Sequence, residues 1–210
     1  MVIGFKGPAA GGFSAGALVL ERPDAHSVCA KLESETFADE AQLVVGEQDC
    51  AVISRDGWVA GILGPGRHTL SARIQPFLGS LASTSGYAAR ISFVTTAPIE
   101  DVRFGGPVTL PGAAQVMAFG TLATRVVDPG RLATNLGPAT SEDLGRFLGA
   151  KILQLVSACA IEWLDKYFTI DTIGGAGLQI AQTIQPHCVF FAELGLDLPR
   201  FDGLTLNVRP

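Results

Sequence analysis

The chain is poor in charge. Only 17% of its 210 residues are Asp, Glu, Lys or Arg, while 48% are apolar. A sizeable core is therefore available, and disorder of the whole is not expected. Fifteen Lys and Arg stand against twenty Asp and Glu, a formal net charge of −5, and no basic cluster occurs. Nucleic-acid binding draws its affinity from counterions released by such a cluster, so nucleic acid is not expected as a partner. Potential metal ligands are few: Cys29, Cys50, Cys159 and Cys188 form no CxxC, and His26, His68 and His187 are scattered. Neither a metal site nor a disulfide framework follows from that spacing, and reduced thiols in a cytosol are expected. An uninterrupted apolar run long enough for a span is missing too. The stretch LGAKILQLVSACAIEWL, 148–164, contains Lys151, Gln154 and Glu162, and falls short of the uncharged length that a bilayer requires. The first twenty residues carry glycine-broken apolar sequence rather than the continuous centre of a signal peptide.

What is present divides into two periodicities. Residues 1–16 are Gly/Ala-rich and expected as a flexible lead-in, with 17–210 as one domain. From about 17 to 127 the signals favour strands. The runs ALVLERP and AQLVVGE end in turn residues, and CAVISRDGWVAGIL places Asp56-Gly57 between two β-prone stretches. An Asp-Gly pair supplies the positive φ angles that a two-residue hairpin turn requires. ARISFVTT (89–96) and IEDVRFG (99–105), flanking Pro98, are expected as a second strand pair. AQVMAFGTLATRVVD (114–128) alternates around Val116, Ala118, Leu122 and Val126, with Gly120 marking a bulge or close backbone approach.

After Asp128 the period changes. Asp128-Pro129 predicts a helix start and Gly137-Pro138 its end. A long amphipathic helix follows, capped by Ser141, with a stripe of Leu144, Leu148, Ile152, Leu155, Cys159 and Trp163. A further helix is expected over about 171–194, stopped by Gly195, and LDLPRFDGLTLNV reads as a closing strand within 196–208. Strands first and helices afterwards predict an α+β fold: an antiparallel β-sheet of N-terminal hairpins packed with two or three α-helices in the C-terminal half.

No motif in the sequence assembles chemistry, so no catalytic, cofactor-binding or metal-ligating residue and no small-molecule substrate is expected. Gly12-Phe13-Ser14-Ala15-Gly16 matches the GxSxG pattern, but such a nucleophile works only on a strained strand-to-helix turn, and the lead-in leaves no room for the strand. Thr172 to Gly177 (TIGGAG) lacks both dinucleotide-loop spacing and a P-loop Lys; it is expected as a small-residue patch where two helices pack. ILGPGRHTL (62–70) continues into alternating, β-prone residues rather than Gly-Lys-Ser/Thr. Gly64-Pro65-Gly66 is therefore a turn, with Pro fixing φ and Gly accepting positive φ. The hairpin raises one question of assembly. WVAGIL, 58–63, is uncharged, and an uncovered strand of that kind calls for a partner. The cover would be another copy of the chain, unless residues 17–45 supply a strand.

GEQDCAVISRDGWVAGILGPGRHTL (46–70) resembles the opening of the SPFH domain (stomatin/prohibitin/flotillin, or band 7), closest to the soluble bacterial subgroup often labelled virion-core-protein-like. MAFGTLATRVVDPGRL (117–132) is similar to that family's sheet strand running into an Asp-Pro helix start. Residues 170–208 are similar to its last helix, Gly-Leu turn and final strand. The resemblance implies a non-enzymatic scaffold without cofactors that self-associates as a homo-oligomer. It further implies a cytoplasmic protein, peripheral at the inner face of a membrane and recruited by a membrane-protein partner. The alternative on the same fold is a monomeric protein- or ligand-binding module. Val2, Ile3 and Phe5 are the candidates for a peripheral membrane contact. The chain ends at Pro210 without the coiled-coil helix or zinc ribbon that often follows in the family.

Overall fold

In the computed structural model the described residues, 18–32, 34–111 and 115–208, form fourteen strands and four α-helices. The first seven strands are β1 (Val19–Leu20), β2 (Ser27–Lys31), β3 (Thr36–Phe37), β4 (Ala41–Val45), β5 (Asp49–Arg55), β6 (Trp58–Leu63) and β7 (Gly66–Leu70). A 3-10 turn at Pro76–Leu81 leads to β8 (Ala82–Ser83), β9 (Gly86–Ala88), β10 (Arg90–Thr95), β11 (Ile99–Thr109) and β12 (Gln115–Thr124). Then come α1 (Pro129–Asn135), β13 (Ala139–Thr140), α2 (Ser141–Trp163), α3 (Gly177–Ile184), α4 (Phe190–Glu193) and β14 (Arg200–Val208).

The architecture is α+β, but the strands form four sheets instead of one. A five-stranded sheet, β13-β2-β10-β5-β6, occupies the middle. One of its faces packs Ala51, Ile53, Ile91 and Phe93 against Leu43, Val45 and Leu70 of the small sheet β1-β4-β7. The other packs Cys50, Val52 and Val94 into the larger core that holds α1, α2 and the sheet β11-β12-β14. Burial on both faces explains why β5 reads Cys-Ala-Val-Ile with no polar alternation: all four side chains are buried. Ahead of β5, Arg22 bonds both Asp49 and the carbonyl of Ser27, tying its first residue to β2.

Several expectations are corrected. Residues 89–96 and 99–105 are strands but do not pair. β10 pairs with β2 and β5, and β11 with β12, so the Ala97-Pro98 link carries the chain from one sheet to another. The cap of α2 is Thr140 rather than Ser141. Its hydroxyl accepts from Asp143 N while the Asp143 carboxylate accepts from Thr140 N, a capping box. The α2 stripe holds at Leu144, Leu148, Ile152 and Cys159; Val156 and Ala160 complete it, while Leu155 and Trp163 are only half-buried. By length and composition α2 could cross a membrane. Here Leu144, Leu148, Ile152 and Val156 are fully buried in the larger core, so it is a core helix.

The single helix expected over 171–194 is two short α-helices, α3 and α4, with one 3-10 turn (Ile173–Ala176) ahead of α3 and another (Gln185–His187) between them. Gly177 explains part of the break. A methyl group there would stand 1.9 Å from Leu204 O, so the glycine lets α3 press against the backbone of β14. The glycine-rich segment therefore seats a helix on a strand and not on another helix. Gly195, with φ 75°, ends the last piece.

Candidate functional site

The candidate site is built around the β5–β6 hairpin. Asp56 takes φ 49° and Gly57 φ 80°, the double positive φ of a type I′ turn. Pairing proceeds Arg55 with Trp58 and Ser54 with Val59, then jumps to Ile53 with Gly61, leaving Ala60 as a bulge. Because of that extra residue, Val59 and Ile62 point to the same face. They are partners of Ser54 and Val52, and both line the groove beside α1.

β6 is the outer strand of its sheet, and no described strand pairs with its other side. The described residues of the 17–45 stretch lie elsewhere: β1 with β4, β2 with β10 and β13, β3 with β9. Both faces beside β6 are occupied. The Phe77 ring lies over Gly61 on one, and on the other Gly130 of α1 comes so close that a methyl there would sit 3.3 Å from Val59. Between α1 and β6 runs an open groove of about 330 Å³, with Val59 and Ile62 on one wall and Gly130, Arg131 and Thr134 on the other. Asp128, the N-cap of α1, accepts from Arg131 N and pairs with its guanidinium, so the groove rim holds a neutralised pair. Trp58 is 57% exposed and Ile62 45%. The site is thus a sheet edge with no strand partner among the described residues, flanked by a groove with apolar side chains on its β6 wall and polar ones on its α1 wall.

The outer strands of the sheet β11-β12-β14 are treated differently. A methyl on Gly145 of α2 would meet Arg103 O of β11 at 2.1 Å, so a helix is seated on this strand as α3 is on β14. Within that sheet, Phe104 lies over Gly120 and Phe119 over Gly105, in adjacent register pairs. Aromatic rings thus fill the space that two glycines leave. Gly177 falls in the small-residue patch expected for close packing, whereas Gly145 is not singled out by the sequence; the available signal was Gly145 and Gly149 four residues apart on the buried face of α2.

The Gly64-Pro65-Gly66 turn carries the chain from β6 into β7 of another sheet, with Gly66 at φ 125°. His68 Nε2 lies 2.7 Å from Gly64 O and donates to it in the matching tautomer. At the hairpin tip, Arg55, Asp56, Glu35 and Arg90 border a hollow of about 160 Å³. Lys31 and then Arg90 hold the Glu35 carboxyl below its ordinary range. The four cysteines are free and buried, and burial pushes the thiols of Cys29, Cys50 and Cys188 up to about 11. They are poor nucleophiles. Among the described residues no His/Cys/Asp/Glu cluster could hold a metal. Ser14 and the trio Val2, Ile3 and Phe5 lie outside the described residues.

The family model described as SPFH domain-Band 7 family matches residues 32–202. That span runs from just past β2 into β14 and takes in most of both cores and the β5–β6 hairpin. No curated protein matches the chain.

Proposed function

The chain belongs to the SPFH domain-Band 7 family, and on that premise we propose that it is a non-enzymatic, self-associating scaffold that organises partner proteins at or near a membrane. One observation carries the self-association: β6, uncharged along its whole length, has no second strand partner among the described residues, while Trp58 and Ile62 stay exposed beside it. Unpaired strand edges are costly to leave open, and natural proteins blunt them with Lys, Pro or a covering element. WVAGIL has neither Lys nor Pro. Its bulge at Ala60 is the one blunting device present.

Within the family, residues 46–70 favour the soluble subgroup often labelled virion-core-protein-like. Its setting is then the cytoplasm, with peripheral contact at the inner face of the membrane through Val2, Ile3 and Phe5 and recruitment by a membrane-protein partner. Light scattering on the purified chain tests the reading. Masses at integer multiples of 21.9 kDa that rise with concentration are expected. A constant single-chain mass at tens of micromolar overturns the self-association and leaves a monomeric binding module. Vesicle co-sedimentation with and without the first five residues tests the membrane contact; equal partitioning of both forms overturns it.

A further inference from the structure

We propose that two copies of the chain join by antiparallel pairing of β6 with β6 about a two-fold axis, fusing their five-stranded sheets into one continuous sheet. The inference rests on the self-association argued above and adds the partner surface and its register.

Three observations select this occupant. The first is shape. Phe77 on one face and α1 on the other flank β6, so the position beside it admits an element lying in the plane of the sheet. A strand that pairs along β6 takes that position. The second is register. Val59 and Ile62 face α1, whereas Trp58 and Leu63 face the opposite side: Trp58 is the neighbour of Val59 along the strand, and Leu63 packs in the smaller core. Directly opposed residues of an antiparallel pair point to the same face. One register satisfies this for both pairs, with Val59 of each copy opposite Ile62 of its mate and Trp58 opposite Leu63. The axis then passes between Ala60 and Gly61. The third is charge. β6 itself brings no like charges together. The antiparallel sense also sends the exposed Asp56 of each copy toward the end of its mate that carries the exposed Arg67. An isologous pair repeats each such contact twice.

A six-residue strand pair lies at the small end of specific interfaces, where about 1,200 Å² of total buried surface marks the lower bound of stable ones. The contact is therefore expected to depend on concentration and to serve as one joint of the assembly.

Disulfide trapping tests the register. Val59→Cys chains mixed with Ile62→Cys chains should give a crosslinked dimer under mild oxidation, at least tenfold more than either variant alone. The buried native thiols leave a low background. Crosslinking that is equal in all three samples, or absent from the mixture, overturns the register. Light scattering on Ile62→Lys, with circular dichroism to show that it is folded, separates this inference from the broader reading. Loss of mass to one chain supports the β6 joint. A folded variant that keeps the wild-type mass overturns the joint and leaves the scaffold standing. A wild-type chain that is itself monomeric removes both.

Discussion

The two larger sheets of this molecule meet the same problem with opposite outcomes. In β11-β12-β14, helices close on the backbones of both outer strands, α2 through Gly145 and α3 through Gly177. In the five-stranded sheet, β13 ends one side, and on the other no strand among the described residues pairs with the outer side of β6. Both sheets are antiparallel and both contribute to the larger core, so the difference does not follow from strand type or burial. It lies in what the following sequence supplies. After β12 and before β14 the chain provides helices with a glycine at the point of contact. After β6 it turns at Gly64-Pro65 and leaves for another sheet. Where α2 and α3 meet these strand backbones a Cβ would clash, and this requirement is written into single positions.

Breaking the covered edge should have the largest effect. Gly177→Ala brings a methyl to 1.9 Å from Leu204 O, and Gly145→Ala brings one to 2.1 Å from Arg103 O. Neither neighbour is the end of a flexible side chain, so the helix itself must move. Each substitution is expected to cost about 3 kcal/mol, at the upper end for overpacking, and the pair together to prevent stable folding. Urea unfolding followed by circular dichroism reads both. A loss below about 1 kcal/mol for either would mean that the helices do not hold these edges closely.

The same chemistry at β6 should do little to the fold. Ile62→Thr keeps the β-branch but replaces an exposed apolar side chain by a smaller, polar one without adding charge. It should lower the stability of the single chain by no more than about 0.5 kcal/mol, as surface changes do. It should still weaken self-association, seen as a higher concentration at the midpoint of the mass transition. A large stability loss with unchanged association would reverse the assignment of roles to the two edges.

How much of this contrast was legible in the sequence depends on the range of the signal. The hairpin was legible because Asp56-Gly57 is a local device: two residues fix the turn, and the turn fixes which runs pair. The start of α1 and the stripe of α2 are local in the same sense. The partners of β10 and β11 were not legible. Each is a good strand, and proximity across Pro98 suggested a pair, but pairing is decided by which faces must be buried in the finished core. The break-up of 171–194 shows the same limit. Its glycines signalled weakness in a helix, yet the reason for Gly177 is a carbonyl on β14 twenty-seven residues away. The bare edge of β6 was anticipated from its lack of charge. That residues 18–45 leave it bare required seeing where those strands go.

A smaller test concerns the joint between the two regions. Thr140 belongs to β13, which pairs with β2 of the five-stranded sheet, and it is also the N-cap of α2, the helix that covers β11. The capping box is thus the local tie between a sheet with a bare edge and the helix that closes the other sheet. Thr140→Val keeps the shape and removes the hydroxyl. It should cost about 1 kcal/mol, as lost caps do, with the loss visible as earlier exchange of the amides in the first turn of α2.

The smallest effect expected is the pH dependence of that same tie. Hydrogen bonds from the Thr140 backbone N–H and hydroxyl, with Arg146 close by, hold the Asp143 carboxyl below its ordinary 3.8. A carboxyl whose folded pKa is depressed binds protons less readily than in the unfolded chain, so the unfolded state gains protons first as pH falls. The contribution is fully present above the ordinary carboxylate range. It is lost as pH drops from about 4 through the lower folded value. The Asp143 side chain is 46% exposed, so solvent screening keeps the contribution small. The melting temperature should therefore be flat in this respect from neutral pH down to about 5 and fall below it. Asp143→Asn should start lower at neutral pH and show a shallower acid decline, because the side chain that titrates is gone while an acceptor remains. Parallel acid limbs for wild type and variant would mean that the tie between the two regions does not depend on the charge of Asp143, and that Thr140 holds it through the hydroxyl alone.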